Sequence, residues 1–423
     1  MNYTDTEKMA YLLEKAGLQQ ALSMSTADLI ILNTCSVRQR AEDKVLGLSR
    51  AVRKIKEARP DVHVVLTGCM SQRIRRECND FATDQNHYRW VQETMPWVDS
   101  VIGIGDYSQL TTCASSEKIP TQAYLDVPQK YSSRISAYVP ISQGCDNFCT
   151  YCVVPFSRGK EVHRPAVDIR RQVETLVGAD CKLITLLGQN VTSWKGRVEN
   201  REASFPALLR YITAVNGKYW LTYLTAHPKD VTMKLLDVLV DCGDKVCSYI
   251  NLPMQSGSPA VLARMNRGYT VDEYVRKVEM LRAAVPDMRV STDIIVGFPG
   301  ETEEEFEETY NLMQDIQFSM AYVAEYSSRK GAASSLLEDS VPVKVKKERK
   351  MRIENLQRSI IEKKNAQSVG SHADVLVKTS NSGVTHDLRE VRFEKDVSES
   401  IGNIVQSLVV GSSASGLLCR TPV

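Results

Sequence analysis

The chain has 423 residues, a length that predicts two or three domains rather than a single hydrophobic core. Charged residues make up 25% and hydrophobic residues 43%, a balance that indicates a globular protein and excludes a disordered or fibrous one. The net charge of +2 at pH 7 neither requires nor excludes a polyanionic partner, because a local basic patch is enough to bind RNA.

The apolar runs of the chain, such as residues 294–298, have the length of strands and not of membrane spans. The first ten residues are polar and charged, a composition unlike that of a signal peptide. We therefore expect a cytoplasmic protein with no membrane partner. In such a protein, 11 cysteines indicate metal binding or catalysis before disulfides.

Residues 1–125 alternate helical and strand patterns, which predicts a small doubly wound α/β domain. The predicted elements are helix 5–16, strand 28–33, helix 41–58, strand 63–67 and strand 101–105. A polar linker at residues 126–134 follows, and we place the domain boundary there.

Two cysteines follow two successive strands of this domain. Cys35 comes after the first strand and Cys69 after the second, at the edge where open α/β sheets bind ligands. They would reach one shared site there. The alternative is that each is a small buried packing residue. Cys78 and Cys113 lack a comparable strand-end setting, and we expect both to be structural.

The strongest chemical signal is the string G-C-D-N-F-C-T-Y-C-V-V-P-F-S-R-G at residues 144–159, in which Cys145, Cys149 and Cys152 are spaced C-x3-C-x2-C. Three such thiolates suit three irons of a cubane iron–sulfur cluster. The fourth iron would then be open to S-adenosylmethionine (SAM). A zinc site or an inert cysteine cluster is the alternative, but zinc normally takes four Cys or His ligands.

Beyond the linker, six strand patterns alternate with six helical ones, which indicates parallel βαβ units in a partial (β/α) barrel at residues 131–365. The predicted strands are 137–142, 183–187, 220–225, 247–252, 289–296 and 320–326. The predicted helices are 167–177, 206–215, 232–240, 271–284, 303–316 and 343–364.

Barrel chemistry takes place at the carboxyl ends of the strands. There we expect polar side chains that bind parts of SAM, namely Gln189, Asn190, Gln255, Asp293 and Arg329. The alternative for any one of them is that it only satisfies backbone groups. We expect His227 to fix a turn rather than act as a base, and Trp194 to be a packing residue.

The last part of the chain begins with a basic helix containing K-V-K-K-E-R-K, either a solvated face or an RNA contact. Residues 369–423 then contain short alternating strands separated by Gly and Ser, which predict a small β-barrel. Cys419 in this region is expected to be structural.

Two further strings carry a family resemblance. They are N-T-C-S-V-R-Q-R-A-E-D-K-V at residues 33–45 and T-G-C-M-S-Q-R at residues 67–73. With the cysteine string, they make the chain resemble the radical-SAM methylthiotransferases over essentially its whole length. The resemblance implies an N-terminal cluster domain, a radical-SAM barrel and a C-terminal TRAM domain, an OB-like RNA-binding module.

The resemblance also implies two [4Fe–4S] clusters and SAM. The cysteine string would hold the SAM-binding cluster, with Tyr151 matching the position that meets adenine. Cys35 and Cys69 match two of the three ligands of an auxiliary cluster. The first ligand is expected in a G-C-Q-M-N motif that would be ending at Met1 and Asn2. Either the sequence is truncated, as we expect, or two cysteines hold the auxiliary cluster.

Within the family, L-P-M-Q-S-G-S and the strings above are typical of enzymes that add a methylthio group to carbon 2 of N6-dimethylallyladenosine next to the anticodon. The expected partners are a tRNA anticodon stem-loop and an electron donor such as flavodoxin or ferredoxin, and the protein is expected to be a monomer. The alternatives are a relative acting on threonylcarbamoyl-adenosine or on a ribosomal protein, and a non-enzymatic iron–sulfur protein that binds RNA or senses redox state.

Overall fold

The computed structural model describes residues 1–35, 39–77, 87–114 and 124–421. The chain packs as two compact units, each built from separate pieces of sequence. The first unit comprises Met1–Ser132, Gln143–Val162 and Arg329–Ser335. The second comprises Ser133–Ser142, His163–Ser328 and Leu336–Val423. The described part of the chain contains no helix that is both long enough and apolar enough to cross a membrane.

The described residues among the first 114 form helices around a parallel sheet of three strands, in the order β1-β2-β3. The elements are α1 (Asn2–Lys15), β1 (Leu29–Thr34), α2 (Gln39–Gly47), α3 (Ser49–Ala58), β2 (His63–Gly68), α4 (Cys69–Glu77), α5 (His87–Thr94), β3 (Ser100–Val101) and α6 (Tyr107–Ala114). The predicted single helix at residues 41–58 is therefore two helices that meet at Leu48. Gly47 and Ser49, which are weaker helix formers than their neighbours, stand on either side of the break.

Both faces of the small sheet are covered, because successive side chains of a strand point to opposite sides. Val64 and Leu66 of β2 lie in one hydrophobic cluster with Val52 of α3. Val65, between them, lies in another cluster with Met9 of α1. This is the doubly wound α/β arrangement that the sequence predicts.

The next part of the chain alternates strands and helices. Its elements are β4 (Ser136–Pro140), β5 (Ser142–Gln143), α7 (Val154–Arg158), β6 (Val162–His163), α8 (Ala166–Gly178), β7 (Leu183–Leu187), β8 (Lys195–Val198), β9 (Arg201–Ser204), α9 (Phe205–Thr213), β10 (Trp220–Tyr223), α10 (Met233–Cys242), β11 (Tyr249–Asn251), α11 (Pro259–Arg264), α12 (Val271–Ala284), β12 (Arg289–Val296), α13 (Glu303–Ile316), β13 (Met320–Glu325) and α14 (Val343–Ala366). The six predicted strands correspond to β4, β7, β10, β11, β12 and β13.

These six strands form two parallel sheets of three, β4-β7-β10 and β11-β12-β13. A single parallel bridge between Leu221 and Val246 continues the pairing from one sheet to the other. The strands β7, β10 and β11 are buried along their whole length, which is the pattern of a parallel sheet covered by helices, whereas the edge strand β13 is only partly buried. The result is the open, six-stranded α/β arc that the sequence predicts.

Capping boxes fix where two of the outer helices begin. The Thr270 side chain accepts a hydrogen bond from the Glu273 backbone, and Glu273 in turn accepts one from the Thr270 backbone, at the start of α12. Thr302 and Glu305 repeat this arrangement at the start of α13. Each box satisfies two amide groups that a helix terminus otherwise leaves unpaired.

The last five strands close into a small barrel in the order β14-β15-β16-β18-β17. They are β14 (His372–Thr379), β15 (Ser382–Thr385), β16 (Glu390–Phe393), β17 (Ile404–Ser413) and β18 (Gly416–Arg420). Leu376 and Val384 of this barrel pack against Leu183 and Trp220, the first residues of β7 and β10. The C-terminal barrel therefore covers the amino ends of these strands.

Candidate cluster and cofactor site

The three cysteines of the cysteine loop, residues 144–159, lie in the first unit. Cys145 and Cys149 are buried and Cys152 is half-buried. The backbone and side-chain amides of Asn147 donate to Cys145 Sγ at 3.5 and 3.4 Å. The backbone N–H of Val154 donates to Cys152 Sγ at 3.5 Å. Sulfur atoms that receive N–H donors in this way suit metal-bound thiolates.

Burial raises the pKa of the Cys145 thiol, although the Asn147 donors act in the opposite direction. The ionised form of Cys145 is therefore favoured only when a bound cation replaces the proton of the thiol. Among the described residues, no three His, Cys, Asp or Glu side chains are placed to share one metal ion. In a four-iron cluster, by contrast, each cysteine binds its own iron.

A glycine fixes the entry to the cysteine loop. Gly144 has a φ of +83°, and a Cβ at this position would lie 2.1 Å from the carbonyl oxygen of Lys160. The loop is closed by hydrogen bonds from Cys145 N to Gly159 O and from Cys152 N to Cys149 O. No larger residue fits before Cys145 without moving the backbone.

A buried ion pair holds the carboxyl end of the loop. Arg158 donates to both carboxylate oxygens of Asp5 in α1, at 3.2 and 2.5 Å. The two side chains are only 3% and 6% exposed. The Tyr124 hydroxyl also donates to Asp5, and burial, with Asp5 close by, raises the pKa of Tyr124. The sequence gives no signal of this contact, since Asp5 and Arg158 are 153 residues apart.

The two strand-end cysteines follow the ends of paired strands in the same unit. Thr34 at the end of β1 pairs with Gly68 at the end of β2, and Cys35 and Cys69 are the next residues. Gly68 has a φ of +96°, and a Cβ there would lie 2.3 Å from the Thr34 carbonyl oxygen. The close approach of the two strand ends therefore depends on this glycine.

Arg329 also belongs to the first unit, beside charged side chains that sequence reasoning missed. Its guanidinium lies 3.7 Å from Glu42, which accepts a 3.1 Å hydrogen bond from Arg73. Burial lowers the pKa of Arg329, while Glu42 and Cys35 raise it. In the same piece of chain, Ser334 N donates to Thr150 O of the cysteine loop. Tyr151, next along the loop, is half-buried.

In the second unit, polar groups meet after β7 and β10. The buried Asn190 donates to Asp230 at 2.9 Å, and the Thr192 hydroxyl donates to both Asn190 and Asp230. His227 N donates to the same Thr192 hydroxyl at 3.1 Å. Gln189, beside Asn190, is half-buried. The sequence indicated the two amides but not Thr192 or Asp230, which join them into one network.

A second polar group follows β11 and lies on β12. Asp293 accepts a hydrogen bond from Asn251 at 3.2 Å. Gln255 is buried with a φ of +70°, and its N–H donates to the Asp293 carbonyl at 2.8 Å. A left-handed glutamine costs backbone energy and is held here by the pairing with β12. The structure therefore brings Gln255 and Asp293 together.

His227 and Trp194 have structural contacts, as predicted. Burial lowers the pKa of His227 to about 3, so the ring is neutral near pH 7, and its Nδ1 accepts from Lys229 N at 3.3 Å. Trp194 is fully buried, and its Nε1 donates to the Arg164 carbonyl at 3.0 Å. The first fixes a turn and the second is a packing residue.

Two cations of the basic helix α14, Lys346 and Arg349, are buried in ion pairs with Asp339 and Glu301, so part of its charge is structural. Cys419 is buried in the core of the C-terminal barrel, as predicted. Cys78 and the side chain of Cys113 lie outside the described residues.

Two family models match the chain. The radical SAM superfamily matches residues 139–313, which include the cysteine loop and most of the six-stranded arc. The family described as uncharacterized protein family UPF0004 matches residues 1–88, which include Cys35 and Cys69.

Relatives match almost the full length of the chain. A protein of Dictyoglomus thermophilum is 39% identical and covers 96% of this chain and 92% of its own length. Proteins of Syntrophotalea carbinolica and Clostridium beijerinckii are 37% and 35% identical, covering 90% and 99% of this chain and 86% and 93% of their own lengths. All three are named tRNA-2-methylthio-N(6)-dimethylallyladenosine synthase. This chain belongs to that synthase family.

Solved structures support the fold. A radical SAM methyltransferase from Kitasatospora setae matches with a TM-score of 0.51 at 15% identity, over 75% of this chain and 64% of that one. Membership in the synthase family confirms the predictions of a radical-SAM methylthiotransferase and of an enzyme, against the non-enzymatic alternative. It also implies one [4Fe–4S] cluster and SAM as cofactors.

Proposed function

We propose that the chain adds a methylthio group to carbon 2 of N6-dimethylallyladenosine next to the anticodon of tRNA. The observation that carries this proposal is the near full-length match to synthases whose name states this product. The alternatives are methylthio transfer to threonylcarbamoyl-adenosine or to a ribosomal protein.

Cys145, Cys149 and Cys152 are the proposed ligands of the SAM-binding [4Fe–4S] cluster. When bound, this cluster and SAM supply radical chemistry, which an unactivated C–H bond of an adenine ring requires. The role of the protein is to hold the three sulfurs. Asn147 and Val154 donate hydrogen bonds to two of these sulfurs, and the pair of Arg158 with Asp5 fixes the carboxyl end of the loop.

We propose Cys35 and Cys69 as ligands of a second [4Fe–4S] cluster. The register of β1 and β2 supports this role, because Cys35 and Cys69 directly follow the paired residues Thr34 and Gly68. Packing alone does not require two cysteines at the ends of adjacent strands, whereas a shared cluster does.

The polar side chains proposed to bind SAM are Gln189, Asn190, Gln255, Asp293, Tyr151 and Arg329. The side chain of Asn190 is oriented by its hydrogen bond to Asp230, and that of Asp293 by the hydrogen bond it accepts from Asn251.

The proposed partners are an anticodon stem-loop and a one-electron donor such as flavodoxin or ferredoxin. Bases in single-stranded RNA loops can be splayed out and read individually, which fits a modification beside the anticodon. We further propose a monomer in the cytoplasm, with domains at residues 1–125, 131–365 and 369–423, the last of them an RNA-binding TRAM domain.

The test is product analysis with the anaerobically reconstituted full chain, SAM, a reductant and two anticodon stem-loops. One RNA carries N6-dimethylallyladenosine and the other carries threonylcarbamoyl-adenosine. We expect methylthiolated nucleoside only from the first RNA, detected by mass spectrometry after digestion. Product from the second RNA alone would show that threonylcarbamoyl-adenosine is the substrate instead. No product from either RNA would refute the proposed function.

Iron and sulfide analysis of the same preparation tests the two clusters. We expect about eight irons per chain, as two four-iron clusters require. The Cys242→Ser variant is a matched control, because Cys242 is a half-buried cysteine of α10 outside both proposed sites. About four irons per chain would contradict an auxiliary cluster held by Cys35 and Cys69 alone, while leaving the SAM-binding cluster in place.

A further inference from the structure

A large cleft lies in the second unit at the amino ends of the barrel strands, away from the proposed cofactor residues. Its volume is about 1190 Å³. One wall contains Trp220 and Arg289, the first residues of β10 and β12, and the other contains His386 and Asp387 of the C-terminal barrel. The last turn of α14 borders it through Lys364. This volume is somewhat above the usual range of small-molecule sites, about 300–1,000 Å³, so the cleft is large enough to hold a small molecule.

Two cations of the cleft meet at a single uncharged atom. Lys364 Nζ and an Arg282 guanidinium nitrogen both donate to the carbonyl oxygen of Gln317, at 2.6 and 3.3 Å. The two nitrogens are therefore at most about 6 Å apart. Arg289, a third cation on the same wall, donates to the carbonyl oxygens of Ser319 and Asp387.

The negative charge nearby does not balance these three cations. Gln317 caps the carboxyl end of α13, where a helix offers about half an elementary charge. Neither Arg282 nor Lys364 forms an ion pair with a carboxylate in the described parts of the chain. Asp387 lies 4.0 Å from Arg289 Nε but 2.9 Å from Arg389 Nε, so its charge is shared.

Other carboxylates line the cleft but do not pair with its three cations. Asp244, Asp287 and Asp374 are exposed at its rim, and none is paired with the three cations in the structure as described. Burial, together with Arg282 and Arg289, lowers the pKa of Lys364 to about 8. The folded chain therefore holds the positive charges of Arg282, Arg289 and Lys364 close together without an anion that would stabilise their charged forms.

We propose that this cleft binds a phosphate group. Guanidinium groups donate two parallel hydrogen bonds to phosphate oxygens, and an ammonium group adds a point charge. The phosphate belongs either to a small phosphorylated metabolite or to the backbone of a bound RNA. Arg289 and Val296, the two ends of β12, are about 23 Å apart at 3.3 Å per residue. The site is thus separate from the carboxyl ends of the strands and does not rest on the proposed function.

The test uses the full chain with clusters reconstituted and two probes, inorganic phosphate by calorimetry and an unmodified anticodon stem-loop by fluorescence anisotropy. The variants are Arg282→Gln, Lys364→Gln and the double variant. Arg276→Gln and Lys363→Gln are matched controls, since both residues are exposed on the same two helices, α12 and α14. Lys364→Met keeps the aliphatic stem and replaces Lys364→Gln if that variant misfolds by circular dichroism.

We expect the double variant to weaken binding of at least one probe tenfold or more, with changes below twofold in the controls. Loss of phosphate binding with RNA affinity unchanged identifies a small phosphorylated ligand. Weaker RNA binding, with a salt dependence reduced by about one for each removed charge, identifies an RNA phosphate. If both probes bind the double variant as they bind the wild type, or if neither probe binds the wild type, the proposal is wrong.

Discussion

The cysteine loop and the carboxyl ends of the parallel strands present functional side chains in different ways. The loop places three cysteines within eight residues of one another, and a buried ion pair between Arg158 and Asp5 anchors it. The strand ends bring together residues from distant parts of the sequence, as with Asn190 and Asp230. In the loop, local sequence sets the ligand spacing, whereas at the strand ends the register of the sheet sets it.

The comparison predicts different sensitivities. We expect the cysteine loop to lose its position when one partner of the pair of Arg158 with Asp5 is removed, because a buried charge without a partner destabilises the folded state. A network of neutral hydrogen bonds loses less with each substitution, since a single hydrogen bond contributes about 1 kcal/mol.

Replacing Cys149 by alanine is expected to reduce SAM cleavage to the level seen without protein, because one of the three proposed iron ligands is removed. The measurement is deoxyadenosine formation under reducing conditions. Cys242→Ser should cleave SAM as the wild type does. Unchanged deoxyadenosine formation in Cys149→Ala would contradict the role of the loop.

Replacing Cys35 by alanine is expected to leave SAM cleavage in place but to stop formation of the methylthio product. The reason is that Cys35 belongs to the strand-end pair and not to the loop. Deoxyadenosine and modified nucleoside are measured in the same reaction. A normal product yield from Cys35→Ala would remove the auxiliary-cluster role from the strand ends.

Replacing Asp5 by alanine is expected to destabilise the protein by about 3–5 kcal/mol, because Arg158 is left as a buried charge without its partner. Denaturant unfolding of the cluster-free chain measures the change. Asp28→Ala is the matched control, since Asp28 pairs with Arg59 but its side chain is 91% exposed; we expect a loss below about 1 kcal/mol there. Equal losses of stability in the two variants would show that the buried pair of Asp5 with Arg158 contributes no more than an exposed ion pair.

Stability is expected to fall as the pH drops below about 6.5, because folded His227, with a pKa of about 3, resists protonation while unfolded His227 accepts a proton. Between pH 7 and pH 5 the loss is about 2 kcal/mol. His227→Gln should flatten this dependence relative to the wild type, and the control His372→Gln, at an exposed residue, should not. Parallel pH profiles for the wild type and His227→Gln would refute a neutral buried imidazole.

Replacing Asn147 by alanine is expected to have the smallest effect, because it removes one side-chain donor from Cys145 and leaves the backbone donor. Donors to sulfur favour the more negative, reduced state of a cluster. Losing a hydrogen bond of about 1 kcal/mol should therefore lower a one-electron midpoint potential by about 40 mV. A redox titration followed by electron paramagnetic resonance measures the shift. A shift equal to that of Asn200→Ala, a change at an exposed turn, would contradict the contact.

Much of the fold was predictable because its signals are local. The six strands of the arc are short apolar runs between helical patterns, and three cysteines in one loop are visible as spacing alone. The break at Leu48 between α2 and α3 was missed although Gly47 and Ser49 mark it. The third strand is shorter than predicted, since β3 ends at Val101 and Gly105 adopts a left-handed conformation.

Contacts between distant residues were not predictable. The pair of Asp5 with Arg158, and the placement of Glu42 beside Arg329, depend on how separate segments pack. Charged residues are common along the chain, and nothing in their immediate sequence distinguishes the buried ones. The same holds for Arg282, Lys364 and Arg289 of the cleft proposed to bind phosphate, which come from two helices and a strand.

The first unit takes in a segment at Arg329–Ser335, far along the sequence from the α/β elements that make up most of it. During synthesis, its early helices and strands leave the ribosome long before this segment does. At about 5–20 residues per second, the delay from Met1 to Ser335 is roughly 20–70 s. Over that interval the nascent unit is incomplete, because Arg329 and Ser334 are not yet there to contact Glu42 and the Thr150 carbonyl of the cysteine loop.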